Sequence, residues 1–171
     1  MPIEEFMKQQ YLTLRDEIRA SKARIFIILV LGTMVIPAVG YAALASNAVF
    51  ASASMPFIIL VLMLAFVMEQ NSIIRAGTYL KHHVEPHMEG ITTWEAWLEG
   101  NKSLRDTDRY FFGTFLLVFF VFYAIGTGSA LESLNGQYPN QGWYGGAAYA
   151  IGGLWFAIVL FRHWHACTAT D

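Results

Sequence analysis

Side chains that could bind a metal ion lie in two short segments. Three histidines and two glutamates fall within residues 82–89, and two further histidines fall within 163–165. Imidazole nitrogens and carboxylate oxygens suit zinc or iron. The histidines are His82, His83, His87, His163 and His165. Pro86 is expected to break a helix between the second and third of them, so we favour the alternative of a solvated or headgroup-facing polar turn.

These histidines fit known classes of membrane enzyme poorly. Membrane hydroxylases and desaturases usually have more histidine ligands than the five in this chain. A haem held by two histidines needs both inside the membrane, where none falls. The single cysteine, Cys167, excludes an intrachain disulfide and a CxxC motif. We therefore expect no catalytic residue and no cofactor, and a His-ligated, metal-dependent membrane enzyme stays open only as an alternative.

Glu69 is a second candidate, because it follows a long uncharged stretch of the chain. Ionisable groups at the edge of the hydrocarbon tend to face a bundle interior or a water-filled cavity, since exposure to lipid is costly. If several copies surround an axis, Glu69, Gln70 and Asn71 would form polar rings at the mouth of a pore. The alternative is a carboxylate that reaches the membrane interface beside Arg75 or Arg109.

The elements that must position these side chains are membrane spans. Only 14% of the residues are charged, whereas about 25% is usual in soluble domains. Three stretches contain no Asp, Glu, Lys or Arg: 25–68, 110–131 and 133–161. A span needs about 20 apolar residues, so the first stretch holds two, divided at the small and polar residues 46–54, with Pro56 in the first turn of the next helix. The sequence predicts an all-α four-transmembrane-helix bundle, one integral domain over 1–171, with spans at 25–46, 55–74, 110–131 and 143–162.

The basic residues predict an orientation. Of the eleven lysines and arginines, five precede the first span, five lie between the second and third, and one follows the fourth. The positive-inside rule therefore places both ends of the chain and the connection 75–109 of this multi-pass protein in the cytoplasm. A cleaved signal peptide is the competing interpretation of the first span, but the apolar run is longer than such signals have. The net charge of −2 argues against direct nucleic-acid binding.

The segment before the first span is predicted to be an amphipathic helix over 1–24. Its apolar residues recur at spacings of three, four and seven, and charged residues occupy the other faces. Tyr11 and Leu14 are its candidate interface residues. Such a helix needs a partner surface, either the lipid headgroups or the other cytoplasmic segments.

The segment 72–109 is predicted to form a cytoplasmic helical layer. The second helix is expected to run on to about residue 83 and to end before Pro86, because the residue before a proline is biased against helix. A capping box at 92–95 then opens a short helix. It places Trp94 and Trp97 on one face, as anchors at the membrane interface.

In layout, the chain resembles the SLATT and four-transmembrane effector groups of bacterial conflict and phage-defence systems. The likeness is carried by residues 11–18, which lead into the first span, and by residues 69–80, which leave the second. A SLATT module has two spans rather than four, and four-span effectors are generally longer. The resemblance implies permeabilisation of the membrane by a homo-oligomer that a cytoplasmic protein or a nucleotide triggers. The resemblance implies no catalytic residue in this chain.

Three functions are therefore open. The leading hypothesis is an oligomeric pore- or channel-like effector in antiviral defence, gated through its cytoplasmic helices. The second is a non-conducting membrane anchor or adaptor for a soluble partner, and the third is the metal-dependent enzyme. Secondary transport is disfavoured, because apart from Glu69 the predicted spans hold no carboxylate for coupling to protons or sodium, and the sequence shows no inverted repeats with broken helices.

Overall fold

The regular structure of the chain is entirely helical in the residues that the structure, a computed structural model, describes: 3–46, 48–87, 102–140 and 142–168. Four long helices follow one another. They are α1 (Ile3–Ser46), α2 (Val49–Tyr79), α3 (Lys102–Gln137) and α4 (Gly142–Thr168). Each contains a segment long and apolar enough to cross a membrane. The prediction of an all-α protein with four such helices is confirmed.

The first helix is continuous, with no break between the predicted amphipathic helix and the predicted span. It has 44 residues, which makes it about 66 Å long at a rise of 1.5 Å per residue. The hydrocarbon core of a bilayer is about 30 Å thick. Much of α1 therefore extends beyond the apolar layer, and its charged residues lie in the half before residue 25.

The second helix begins earlier than predicted, so the expected position of Pro56 in a first turn is wrong. Pro56 lies inside α2, which starts at Val49. A proline inside a helix leaves a carbonyl of the preceding turn without its usual donor. For Pro56 this is the carbonyl of Ser52. The carbonyls on either side of it accept bonds from side chains: the Ser54 hydroxyl donates to the Ala51 carbonyl at 3.0 Å and the Tyr149 hydroxyl to the Ala53 carbonyl at 2.9 Å.

After α2 the chain remains helical past the predicted end at residue 83. A π-turn covers Leu80–Val84 and a 3-10 turn covers Glu85–His87. The Glu85 N–H donates to the Leu80 carbonyl, five residues back, and Glu85 itself is in the right-handed helical conformation. Because the wide turn ends the regular bonding just before Pro86, the proline enters at the start of a new turn, where its missing N–H is tolerated.

The chain packs as two compact units. The first contains Met1–Val30 and Ala65–Gly113, and the second contains Leu31–Leu64 and Thr114–Asp171. In the first unit the buried apolar cluster consists of Ile18, Ala76, Leu80 and Val84. In the second, the buried side chains include Ile59, Met63, Leu116, Phe119 and Phe156. The division concerns packing alone, and a single integral membrane domain over 1–171 stays a prediction.

Large apolar side chains are exposed on all four helices. Each of the following is more than 60% exposed: Met34, Phe50, Val61, Met68, Leu117, Ile125, Ile151 and Leu154. Soluble monomers rarely expose so much contiguous apolar surface. Within a bilayer the same side chains contact lipid, so the exposed surface agrees with membrane-spanning helices.

Candidate functional site

An ion pair joins α1 to α2 in the first unit. The Arg24 Nε donates to Glu69 Oε1 at 2.7 Å, and Arg24 Nη2 donates to the hydroxyl of Ser21 at 2.9 Å. Arg24 is the last charged residue before the uncharged stretch 25–68, and Glu69 is the first one after it. The charges that bracket this stretch therefore neutralise each other.

The two ends of the ion pair have different surroundings. The Glu69 side chain is 21% exposed, whereas the Arg24 side chain is 49% exposed. Ser21, which holds the guanidinium from the α1 side, is completely buried. Glu69 Oε2 is shielded and has no hydrogen-bond partner among the described residues. The pairing offsets the penalty of holding a half-buried carboxylate at the end of an apolar stretch.

The structure corrects the expected surroundings of Glu69. Its partner is Arg24, and Arg75 instead donates to the Asn71 carbonyl at 3.3 Å. The Arg109 side chain lies outside the described part of the structure. Gln70 is half-buried and Asn71 is exposed. Glu69 is paired with Arg24 of the same chain. That Glu69, Gln70 and Asn71 form polar rings in an assembly of several copies therefore stays a prediction.

The predicted interface residues Tyr11 and Leu14 pack against α2 and the turn that follows it. Both contact the buried cluster of the first unit. The neighbouring Gln10 donates to the Tyr79 hydroxyl at 2.9 Å. The sequence left two partner surfaces open, the lipid headgroups and another helical segment of the chain. The structure shows packing on another helical segment.

A polar groove of about 420 Å³ runs along the contact of α1 and α2 in this unit. The Ser72 hydroxyl donates to Glu17 Oε1 at 3.4 Å inside it. Its lining residues are Leu14, Glu17, Ser72, Arg75, Ala76 and Tyr79. The groove offers an acid, a guanidinium and hydroxyl groups within one small volume.

The structure does not gather the histidines that it describes into a metal site. His82 and His83 are exposed, and the His83 ring stacks on Tyr79 with centroids 4.8 Å apart. The side chains of His87, His163 and His165 lie outside the described residues, as do Trp94 and Trp97 entirely. Among the described residues no three His, Cys, Asp or Glu side chains are grouped so as to hold a metal ion.

A chain of hydroxyl groups in the second unit was not anticipated. The Tyr123 hydroxyl donates to the Tyr149 carbonyl at 2.6 Å, and the Tyr149 hydroxyl donates to the Ala53 carbonyl at 2.9 Å. The side chain of Tyr123 packs against Gly152 and Gly153, where an added Cβ would lie 3.1–3.2 Å from it. The signal in the sequence was the pair of uncharged tyrosines inside spans, since a buried hydroxyl needs a partner.

These features define an all-α protein with four helices long and apolar enough to cross a membrane, in which α1 and α2 are tied together by an ion pair. Comparison with known protein families, with curated proteins and with solved structures finds no match to the chain.

Proposed function

We propose that the protein is a multi-pass protein of the bacterial inner membrane that acts as an oligomeric, pore-like effector. Both ends of the chain and the connection 75–109 are placed in the cytoplasm. The Arg24–Glu69 ion pair is the observation on which the proposal rests. We propose that it holds α1 against α2 in the closed state and that a cytoplasmic protein or a nucleotide releases it, as in antiviral defence.

The charge distribution and the helix lengths support this orientation. Ten of the eleven lysines and arginines lie in the segments assigned to the cytoplasm, and the eleventh, Arg162, lies at the cytoplasmic end of the fourth span, as the positive-inside rule requires. The α1 helix has 44 residues, far more than the roughly 20 that a span needs. The part of α1 before residue 25 carries its charged residues, and it extends on the same side as the charged end of α2.

Cysteine labelling in intact spheroplasts tests the orientation. In a Cys167→Ser background, we expect a membrane-impermeant maleimide to label Asn140→Cys and to leave Ser103→Cys unlabelled until the cells are opened. The two positions lie near opposite ends of α3 and so control for each other. Labelling of Ser103→Cys from outside would contradict the proposed topology.

The packing of the second unit supports a pore formed by several copies rather than by one chain. Ile59, Met63 and Phe156 are completely buried, and small bundles fill their own centres with side chains. An aqueous path therefore needs an assembly. Mass measurement in detergent is expected to give a multiple of 19.2 kDa, and a strict monomer under every condition would contradict the proposal.

The gating role of the ion pair gives the sharpest test. In liposomes we expect Glu69→Gln and Arg24→Gln to raise resting ion flux several-fold, because each leaves one group of the pair without its partner. The exchanged pair Arg24→Glu with Glu69→Arg should return flux towards the wild-type level. Glu132→Gln, which neutralises an exposed carboxylate of α3, is the matched control. If the wild type and all four variants pass no ions, the pore interpretation is wrong.

A non-conducting membrane anchor or adaptor is the second candidate function. The polar groove between α1 and α2 favours it, since Glu17, Ser72 and Arg75 offer several hydrogen-bonding groups to a soluble partner. A stoichiometric protein that co-purifies, is lost with Arg75→Ala and Glu17→Ala, and is accompanied by no flux would support the adaptor over the pore.

A further inference from the structure

Three cations share one face of α1 just before its uncharged stretch. Arg15, Arg19 and Lys22 are four and three residues apart, so their side chains lie above one another on the helix surface. They border an open depression of about 390 Å³, together with Asp16 and Ile18. Arg19 and Lys22 are exposed. One carboxylate against three cations leaves this depression net positive.

The position of this cationic face along α1 matches the headgroup layer of a bilayer. With a rise of 1.5 Å per residue, Lys22, Arg19 and Arg15 lie about 4.5, 9 and 15 Å from Ile25, where the uncharged stretch begins. The headgroup region on each side of the hydrocarbon is about 5–7 Å thick. Long lysine and arginine side chains reach several ångströms further, so the charges of Lys22 and Arg19 come within reach of lipid phosphates.

The same face becomes apolar one turn later. Phe26 follows Lys22 by four residues and is 67% exposed, and Val30 follows Phe26 by four and is 38% exposed. A soluble phosphate would use only the cations. A lipid, with a charged head and apolar tails, matches both halves of this profile, which favours a lipid as the occupant.

Two neighbouring contacts show which cations are engaged within the chain. The Arg15 Nε donates to the Tyr11 hydroxyl at 3.1 Å, and the guanidinium carbon lies 5.2 Å from the centroid of the Tyr11 ring. The Arg15 guanidinium is thereby held towards the N-terminus of α1, away from the uncharged stretch, so Arg19 and Lys22 are the cations of this face nearest the headgroups. Arg24 is engaged by Glu69 and does not contribute.

We infer that this cationic face of α1 binds the phosphate groups of anionic lipids of the inner leaflet. The inference rests on the membrane placement in the proposed function and not on conduction. Phosphatidylglycerol, whose headgroup carries a net negative charge, is the chemical class that Arg19, Lys22 and the adjoining apolar side chains would select over zwitterionic lipid.

Native mass spectrometry of the full-length protein in detergent tests the inference. The probes are phosphatidylglycerol, phosphatidylethanolamine and inorganic phosphate. We expect phosphatidylglycerol to bind in preference to phosphatidylethanolamine, and its affinity to fall roughly fivefold for each of Arg19→Gln and Lys22→Gln. Arg19→Lys, which keeps the charge, should retain binding.

Lys8→Gln is the matched control, because Lys8 lies on the same face of α1 but about 25 Å from Ile25. We expect it to leave binding unchanged. Equal loss in Lys8→Gln, full retention in the double variant Arg19→Gln with Lys22→Gln, or displacement of the lipid by inorganic phosphate would each overturn the inference. Flux measured on the same preparations reports separately on the pore, so lipid binding without flux contradicts the pore alone.

Discussion

The two packed units of the chain use different polar contacts to join their helices. In the first unit the link is the charged pair Arg24–Glu69, and both side chains keep some exposure. In the second unit neutral hydroxyl groups of Tyr123 and Tyr149 donate to backbone carbonyls, and these tyrosines are only 5% and 3% exposed. Charges join helices where water can still reach them, and neutral groups do so where it cannot.

The apolar contacts of the two units are expected to differ in their energetic origin as well. For a helix pair in water, burying side chains such as Leu80 and Val84 removes apolar surface from water. Between helices surrounded by lipid that driving force is missing, and close packing stabilises the contact instead. The close approach of Gly152 to Leu60 and Tyr123 is typical of such packing.

The largest effect is expected for Leu80→Ala. Leu80 is completely buried in the cluster that joins α1 to the end of α2. The substitution loses both the transfer of the side chain from water and its packing, about 2–5 kcal/mol. The free energy of unfolding in detergent should fall by that amount, and amide exchange should rise over residues 5–24. Leu12→Ala, at a site 54% exposed, is the control and should change little.

A smaller loss is expected for Phe156→Ala in the second unit. Phe156 is completely buried beside Tyr123, with ring centroids 6.0 Å apart. Since lipid is as apolar as the core, only the cavity contributes, about 2 kcal/mol for about 100 Å³ of lost volume. Phe161→Ala, at a site 63% exposed, should be near neutral. A loss for Phe156→Ala that exceeds the loss for Leu80→Ala would contradict the difference between the two environments.

The number and type of helices could be predicted because the uncharged stretches are long and bounded by charges. The helix ends were predicted less accurately, because small residues such as Ala51 and Ser54 are found in both loops and helices. The sequence placed the break between the first two helices only somewhere within residues 46–54. The register of α2 against α1 was therefore uncertain by more than two helical turns. In the structure α1 ends at Ser46 and α2 begins at Val49.

That register explains why the partner of Glu69 was missed. Arg24 lies 23 residues before Asn47 and Glu69 lies 22 residues after it. Because α1 ends at Ser46 and α2 begins at Val49, such positions fall opposite each other in a helical hairpin. A break centred on residue 50 would have paired Glu69 with residues near 31, where no charge exists. The tyrosine chain was harder still to predict, because its bonds join residues 26 and 96 positions apart.

A double-mutant cycle on Tyr123→Phe and Tyr149→Phe sharpens the comparison of the polar links. Each substitution removes one hydroxyl donor and keeps the ring. Hydrogen bonds between membrane helices average about 0.6 kcal/mol, so we expect each to lower the free energy of unfolding by about that amount, with little coupling because the acceptors are backbone carbonyls. Tyr144→Phe, at a site 61% exposed, is the control. A combined loss above about 3 kcal/mol would show that the hydrogen bonds of the two tyrosines contribute more to the free energy of unfolding than packing does.

The smallest effect is expected for His83→Ala. The His83 ring stacks on Tyr79 at an interplanar angle of 7°, but His83 is exposed and Tyr79 is 39% exposed. Substitutions at exposed sites usually change stability by less than about 0.5 kcal/mol. We therefore expect unchanged unfolding and unchanged zinc or iron content by elemental analysis, with His82→Ala as the neighbouring control. If His83→Ala removes a stoichiometric metal, the histidines act together in the folded protein, and the metal-dependent enzyme gains support over the pore.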